Sequence, residues 1–485
     1  MRDDIFFPLG IGFPSGILGY YAHESLASLI IIFAAFIAAI FFCFKYIQIP
    51  RKDRIVSFII IGVIAGILVS NIFESMRSVP PPDDGEKIHD TFIITSSDER
   101  SNGFVYTIKF DNKNLNQKFL LRSDSAYRIG DVVEVSGTFQ KPDSFVTDSG
   151  TVFDYEKYLW VSNTVGTIKT KDVEIIGEKK YLVIKRALVS VQRSAINLFR
   201  KIFPYPESGL MGGFVLGEKH GLPDDVADDM RTAGLSHIIV LSGFNIILVM
   251  GMTRRLVSPY LGYRWRRIIA LFVALFLVLL SGAEVPALRA FLMAGCTIIA
   301  ELTIRPGSAG RALMITACLL SLLNPRSLGY DVSFQLSILA TIGVIYIAPR
   351  IETFLIKLHI PTSFDLRKTL ADTMSAQIMV TPLLLGTLGT FSVYGILANI
   401  IVTPLVPYLT MAGIGLLFIG IISSGLGALL AIPITFVLSY IIWIAHKIAI
   451  FPGALITIEN LPIITLLISY VLLGWWVMSR RRESI

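Results

Sequence analysis

Polar side chains recur inside segments that are otherwise apolar enough to cross a membrane. The segment Gly234–Ile246, GLSHIIVLSGFNI, carries Ser236, His237, Ser242 and Asn245. A polar side chain at membrane depth costs free energy unless it faces a protein interior or a water-filled path. We therefore expect this segment to line a polar path, with these four residues as candidate lining residues.

Later apolar segments carry the same kind of side chain. The hairpin Ser281–Arg289 places Arg289 just inside the following span, where a charge would face a lumen or bind phosphate. A tight turn with a salt bridge is the structural alternative. Asp331 and Gln335 begin another span, and Gln377 lies in a late one. These four residues join the candidate lining residues.

The sequence offers little support for catalysis. Ser236 follows the pattern GxSx, and an intramembrane serine protease would need a distant base such as His446, but this pattern is short and unspecific. The six histidines are scattered without metal-ligand spacing. No GxxxxGK[ST] phosphate loop occurs, so ATP hydrolysis is not indicated. We expect no enzyme activity, no metal and no cofactor.

The composition is that of a membrane protein. Of 485 residues, 53% are hydrophobic and only 16% are charged. Runs of about 20 apolar residues, long enough to cross a bilayer as a helix, recur along the chain. The clear runs are 26–44, 55–73, 268–281 and 461–478. We predict a polytopic α-helical membrane protein with about 12 spans, the first of them irregular, over 5–22.

One polar block interrupts the membrane pattern, and with it the chain divides into four predicted regions. They are N-terminal spans at 1–77, the polar block at 78–180, a connector at 181–233 and a channel-like region at 234–485. Five short alternating runs punctuated by turn residues predict that the block is a small all-β barrel or sandwich, and an OB-like barrel has the right size. The runs are 91–95, 104–110, 118–121, 132–139 and 164–169.

The connector opens with an amphipathic segment, 181–203, whose apolar residues recur every three or four positions and whose other face is basic. Such a helix either lies on the lipid surface or packs against other helices. Nine spans are predicted after it, at 234–252, 267–282, 286–304, 309–323, 331–348, 371–388, 399–421, 424–449 and 462–478.

Basic residues predict the orientation of these spans. Placing the Lys and Arg clusters in the cytoplasm puts the β block outside and the C-terminus inside, with Arg326 as the main exception. Residues 234–485 contain 17 Lys and Arg against 8 Asp and Glu, whereas residues 83–180 contain 13 against 17. The net charge of +7 therefore belongs to membrane loops and does not by itself indicate nucleic-acid binding.

Four segments in order resemble the ComEC family of DNA-uptake channel proteins, and the resemblance covers nearly the whole chain. The segments are Gly217–Met250, Glu284–Ala290, Asn324–Gly343 with its FQLS motif, and Phe153–Leu159 after the β block. One departure is Asn245, which stands where the family usually has His and keeps hydrogen bonding without titrating. Many members continue into a metallo-β-lactamase-like domain, and we expect a short form without it.

The resemblance implies passage of single-stranded transforming DNA across the bacterial cytoplasmic membrane. It further implies a separate DNA receptor, motor ATPase and nuclease as partners, and leaves the oligomeric state open. Base stacking on aromatic rings and phosphate contacts to cations would bind the strand to the β block. The candidates are Phe104, Tyr106, Phe119, Lys109, Lys113, Lys118 and Arg122. Because acidic residues outnumber basic ones in the β block, the alternative that the aromatic residues are buried in the core between the strands is favoured.

Other functions stay open on sequence grounds. A transporter for another anionic or lipid-linked cargo would need the same polar path. A membrane scaffold without transport would need none, so a continuous polar interior separates the two. The intramembrane protease would need Ser236 and its base to meet.

Overall fold

The computed structural model describes twelve stretches of the chain. These are residues 3–21, 52–75, 80–100, 103–111, 117–146, 150, 152–179, 182–239, 243–303, 308–360, 366–458 and 462–479. The predicted span 26–44 lies outside them. Two compact units form: a barrel unit, Asn71–Asp148 with Val152–Ser194, and a helical unit, Met1–Ser70 with Ser149–Thr151 and Ala195–Ile485.

The barrel unit contains a closed five-stranded barrel, which confirms the five predicted strands. The strand order is β1-β2-β3-β7-β4, with β3 and β7 parallel and the other neighbours antiparallel. A short hairpin and a helix are inserted between β4 and β7. The elements are β1 Lys87–Arg100, β2 Gly103–Phe110, β3 Lys118–Ser123, β4 Asp131–Gln140, β5 Phe145–Val146, β6 Val152–Phe153, α3 Tyr155–Val161 and β7 Thr164–Glu178.

Alternate side chains of these strands fill the barrel. In β2, Tyr106 and Ile108 are fully buried, as expected where every second residue points inward. The Tyr106 hydroxyl donates to the Ser125 carbonyl at 2.9 Å and accepts from the Tyr127 amide at 2.8 Å. Burial raises the pKa of Tyr106, so the phenol keeps the proton that it donates. The ring therefore closes the barrel core and anchors the loop after β3.

Every predicted span within the described residues contains a helix. Two of the helices, α2 and α4, lie partly in the helical unit and partly in the barrel unit. The helices of the helical unit, with these two included, are α1 Asp3–Tyr21, α2 Lys52–Ser75, α4 Val183–Ile202, α5 Glu207–Leu216, α6 Asp224–Thr232, α7 Ser236–Ile239, α8 Gly243–Leu256, α9 Tyr263–Leu280, α10 Val285–Leu302, α11 Ala309–Leu323, α12 Arg326–Tyr330, α13 Val332–Tyr346, α14 Ala348–Lys357, α15 Leu366–Thr387, α16 Gly395–Val402, α17 Val406–Ile422, α18 Ser424–Ile450 and α19 Ile463–Ser479. Strands β8 Thr390–Ser392 and β9 Leu455–Thr457 pair with each other.

Length and apolar character single out few of these helices as complete spans. Among the described residues, α10 and α18 are long and apolar enough to cross a membrane unaided. Counting each bent pair as one span raises the number to four: α13 with α14 meet at 46°, and α16 with α17 at 47°.

The segment 399–421, which was expected to be one continuous span, is broken between α16 and α17. Pro404 explains the break, because proline has no N–H to donate and its ring clashes within a helix. Breaks of this kind are tolerated at membrane depth where neighbouring protein satisfies the freed backbone groups.

Helices α1 and α2 cross through a pair of glycine motifs. Gly12 and Gly16 on α1 face Gly62 and Gly66 on α2, each pair with GxxxG spacing. A Cβ added to Gly16 would lie 2.0 Å from the carbonyl oxygen of Val63. Small residues at this spacing let helix backbones touch within a membrane.

We expect Gly16→Ala to destabilise the protein by about 1–3 kcal/mol, because the added methyl group forces two backbones apart. The measurement is the thermal unfolding midpoint of the purified protein in detergent. Gly19→Ala on the same helix is the matched control, since nothing lies within 4 Å of a Cβ there. Equal midpoints for the two variants would contradict close packing at Gly16.

Candidate functional site

The helical path of the chain is interrupted by a turn at the start of the polar segment that follows α6. Gly234 has a φ of 71°, a left-handed conformation that glycine adopts readily, and it separates α6 from α7. Ser236 and His237 lie on α7 and are exposed on the surface of the chain. Ser242 lies outside the described residues, between α7 and α8. The interruption therefore falls within the segment that carries the predicted lining residues.

Asn245 is fully buried in α8 and contacts α5. Its side-chain amide donates to the carbonyl of Phe214 at 3.2 Å. Phe214 lies in the last turn of α5, where helical carbonyls lack partners of their own. All ten residues of α5 are buried, so water cannot supply this donor. Asn245 thus fastens the start of α8 to the end of a buried helix.

Arg289 joins α10 to α13. One terminal nitrogen of its guanidinium donates to the Ser337 carbonyl and to the Thr341 hydroxyl. Its Nε is buried and has no hydrogen-bond acceptor among the described residues. Within the same residues, no carboxylate forms an ion pair with it. The expected turn with a salt bridge therefore does not account for this cation.

Helix α8 also approaches Arg289. A Cβ on Gly243 would lie 3.3 Å from the second terminal nitrogen of Arg289 and 2.9 Å from the Cβ of Ala290. Only glycine fits here without displacing α10. The structure therefore brings the start of α8, the first half of α10 and the middle of α13 together around one unpaired cation.

Asp331 and Gln335 hold the start of α13. The Asp331 carboxylate accepts from the Phe334 amide at 3.2 Å, as an N-cap residue does. The Gln335 side chain donates to the carbonyls of Leu328 and Gly329 at 3.1 and 2.8 Å. These backbone contacts explain both polar side chains without a ligand.

Gln377 on α15 lies beside a close approach of the backbones at Gly234 and Gly395. Its Nε2 is 3.2 Å from a Cβ built on Gly395 of α16. A Cβ on Gly234 would lie 3.0 Å from the Cα of Gly395. The side chain of Asn399 faces the Gly234 carbonyl at 3.5 Å. Asn399 belongs to this close approach, although it was not among the predicted lining residues.

The residues proposed for proteolysis do not meet. His446 on α18 contacts the Asp229 carboxylate at 2.7 Å. No hydrogen bond joins Ser236 to His446 in the part of the chain that the structure describes.

The aromatic candidates of the barrel require a correction. Tyr106 and Phe119 are fully buried in the barrel core, so neither ring has a face on which a base could stack. Phe104 is half-buried and stacks on Tyr106, with ring centroids 5.9 Å apart. Their assignment as a stacking platform was wrong for Tyr106 and Phe119, because both share the inward face of their strands.

The cationic candidates lie on the outward face of two paired strands. Lys109 of β2 is directly opposite Lys118 of β3, and Arg122 follows on the same face of β3. Both lysines are half-buried, and Arg122 is exposed. Lys113 lies outside the described residues.

The exposed aromatic rings of the barrel unit lie elsewhere, on β5, β6 and α3. Phe145 is 51% exposed and Tyr158 is 58% exposed. Ring centroids are 5.3 Å apart for Phe145 and Phe153, 5.7 Å for Phe153 and Tyr158, and 6.0 Å for Tyr155 and Tyr158. We name these four rings the aromatic cluster. The spacing of the aromatics in FDYEKYL was the sequence signal that could have found it.

Helices with polar breaks and a five-stranded barrel define a membrane protein with a small β domain. The model of the family described as Competence protein matches residues 214–483, more than half of the chain, and the chain belongs to this family. This confirms the resemblance in the sequence. ComE operon protein 3 of Bacillus subtilis (strain 168) is 24% identical over 293 residues, covering 58% of this chain. The match spans 34% of that protein's length, and no solved structure matches the chain.

Proposed function

We propose that this chain passes single-stranded transforming DNA across the bacterial cytoplasmic membrane during natural competence. Membership of the Competence protein family and similarity to ComE operon protein 3 support this function. Within the structure, the observation that carries the proposal is Arg289, a cation inside the helical unit with no carboxylate partner among the described residues.

The contacts of Arg289 suit a phosphodiester. Both hydrogen bonds of Arg289 use one terminal nitrogen, which leaves the other N–H groups of the guanidinium for an anionic ligand. Guanidinium groups bind phosphate oxygens through two parallel N–H groups, and a dry surrounding strengthens the attraction. Gly243 has no side chain, so space remains beside the second terminal nitrogen of Arg289.

The other lining residues take two different roles in this proposal. Ser236, His237, Ser242 and Gln377 contribute polar groups to the path. Asn245, Asp331 and Gln335 instead hold the helix ends that shape it, because their side chains contact backbone groups.

A deletion strain of a naturally transformable host tests both the function and Arg289. Deletion should abolish entry of labelled DNA into a nuclease-resistant state and leave surface binding intact. Restoring the wild-type gene should recover entry, whereas Arg289→Ala should lower it by at least about tenfold, equivalent to losing 1.4 kcal/mol of phosphate contact.

Membrane abundance of the Arg289→Ala protein serves as the control and should match wild type. Arg289→Lys keeps the charge but loses the fork, so partial recovery is expected. Entry of DNA in the deletion strain would contradict the function, and normal entry with Arg289→Ala would contradict only the role of Arg289.

We further propose that the barrel unit is OB-like and contacts bases through the aromatic cluster. Stacking on aromatic rings tolerates any base sequence. The charges beside the cluster are balanced, because Lys141 pairs with Glu156 at 3.1 Å and Lys157 with Asp154 at 3.4 Å. The outward cations Lys109, Lys118 and Arg122 would contact phosphates, while the half-buried Phe104 contributes little.

Replacing both Phe145 and Tyr158 by Ser should raise the Kd for a fluorescent single-stranded oligonucleotide by about tenfold or more, since each lost stack costs about 1–3 kcal/mol. Fluorescence anisotropy on the full chain in nanodiscs measures this. The control is Ile175→Ser with Ile176→Ser, two exposed apolar residues of β7. Equal weakening in both double variants would rule out specific stacking.

We propose about 12 spans, the barrel unit outside the cytoplasm and the C-terminus inside, following the distribution of basic residues. The first half of α4 would then lie at the lipid surface, because Val183, Ile184 and Val191 are exposed apolar residues. A separate DNA receptor, motor ATPase and nuclease would act with the channel.

Cysteine labelling in intact cells checks this orientation. After the native Cys43, Cys296 and Cys318 are replaced by Ser, a cysteine at Thr170 should react with a membrane-impermeant maleimide. A cysteine at Ser484 should react only after the cells are permeabilised. Labelling of Ser484→Cys in intact cells would reverse the proposed orientation of the C-terminus.

A further inference from the structure

The break between α16 and α17 leaves backbone carbonyls without their helical partners. The two helices meet at 47°. Pro404 and Pro407 have no N–H, so the carbonyls of Ile400 and Thr403 cannot receive the usual bond from four residues ahead. Free carbonyls at the C-terminal end of a helix carry partial negative charge.

Two side-chain oxygens, those of Asn399 and Thr403, lie on the same face at the end of α16. Asn399 and Thr403 are four residues apart, so they lie one above the other on the helix. Asn399 is only 3% exposed. Its amide nitrogen faces the Gly234 carbonyl at 3.5 Å, so its oxygen points elsewhere. No donor among the described residues reaches the buried Oδ1 of Asn399 or the buried Oγ1 of Thr403.

Gln377 of α15 places a further oxygen near the start of α16, away from the break. Its side chain lies against Gly395, one turn before Asn399 on α16. The Oε1 of Gln377 is also buried and receives no hydrogen bond from the described residues. An unsatisfied buried acceptor costs about 1–3 kcal/mol, so the two beside the break, on Asn399 and Thr403, indicate a missing positive partner.

The segment itself carries no charge. From Gly395 to Ile422, Tyr408 is the only residue with an ionisable side chain, and it is exposed. Calcium and magnesium are usually held by carboxylates, which this segment lacks. Amide, hydroxyl and backbone oxygens without charge suit a monovalent alkali cation, as carbonyl oxygens do in potassium-selective filters.

We propose that Asn399 and Thr403, with the freed carbonyls of the break, bind a monovalent alkali cation, Na⁺ or K⁺. The ion stabilises the bent arrangement of α16 and α17. Discontinuous helices hold coupling ions by the same means, through unwound carbonyls and the C-terminal ends of half-helices. Because this chain lacks a phosphate loop, such a site would let a cation gradient act on the path.

Thermal unfolding of the full chain in detergent tests the site without DNA, so its outcome is independent of the proposed function. Midpoints are compared in NaCl, KCl and N-methyl-D-glucamine chloride at equal ionic strength. A bound ion should raise the midpoint with increasing concentration of Na⁺ or K⁺, but not of the large organic cation. The two alkali salts distinguish which ion binds.

Thr403→Val removes one ligand oxygen and keeps the side-chain shape. It should raise the half-saturating cation concentration by at least about tenfold, whereas Thr403→Ser should retain the response. Thr410→Val is the matched control, because the buried Thr410 hydroxyl only donates to Val406 of its own helix at 2.9 Å. If Thr403→Val does not fold, Asn399→Leu makes the same test on the other oxygen.

Two results would overturn the proposal. Equal wild-type midpoints in the three salts would mean that ordinary water, not a cation, satisfies these oxygens. An unchanged cation response in Thr403→Val would place the ion elsewhere in the protein.

Discussion

The hydrocarbon region of a bilayer offers the backbone no hydrogen-bond partner, and this constraint determines where the polar side chains of the helical unit lie. Asn245 donates to the Phe214 carbonyl, Gln335 to the Gly329 carbonyl, and Arg289 to the Ser337 carbonyl. Each contact joins two helices, and the contacts of Asn245 and Gln335 lie at helix ends. Interrupted helices are stable here because neighbouring helices supply the donors.

Close approach of backbones makes these contacts possible. A Cβ on Gly213 of α5 would lie 2.0 Å from the Ile239 carbonyl oxygen, and one on Gly343 of α13 would lie 2.5 Å from that of Ser375. Without glycine at these positions the helices would separate, and a side chain as short as Asn245 could not reach a neighbouring carbonyl. Small residues and polar residues are therefore parts of one arrangement.

The periodicity of the sequence was enough to place the strands and most helices, because alternation and long apolar runs are local signals. The turn at Gly234 could not be located in this way, since Gly234–Ile246 is apolar enough to be read as one span. The inward position of Tyr106 was visible in principle, because it shares its strand face with Ile108. The partners of Arg289 lie 48 and 52 residues away, a separation that no local pattern encodes.

Among the unsatisfied polar groups of the helical unit, Arg289 on one hand and Asn399 with Thr403 on the other would attract ligands of opposite charge. Arg289 carries N–H donors that lack acceptors, and the row of Asn399 and Thr403 carries oxygens that lack donors, within the described residues. They lie on different helices and do not contact each other, so neither can neutralise the other. Groups left in this state cost free energy in the resting protein, which selection tolerates where a transient ligand satisfies them. An anion for the guanidinium and a cation for the oxygens would each offset that cost only while bound, and occupancy would then control which arrangement of the broken helices is stable.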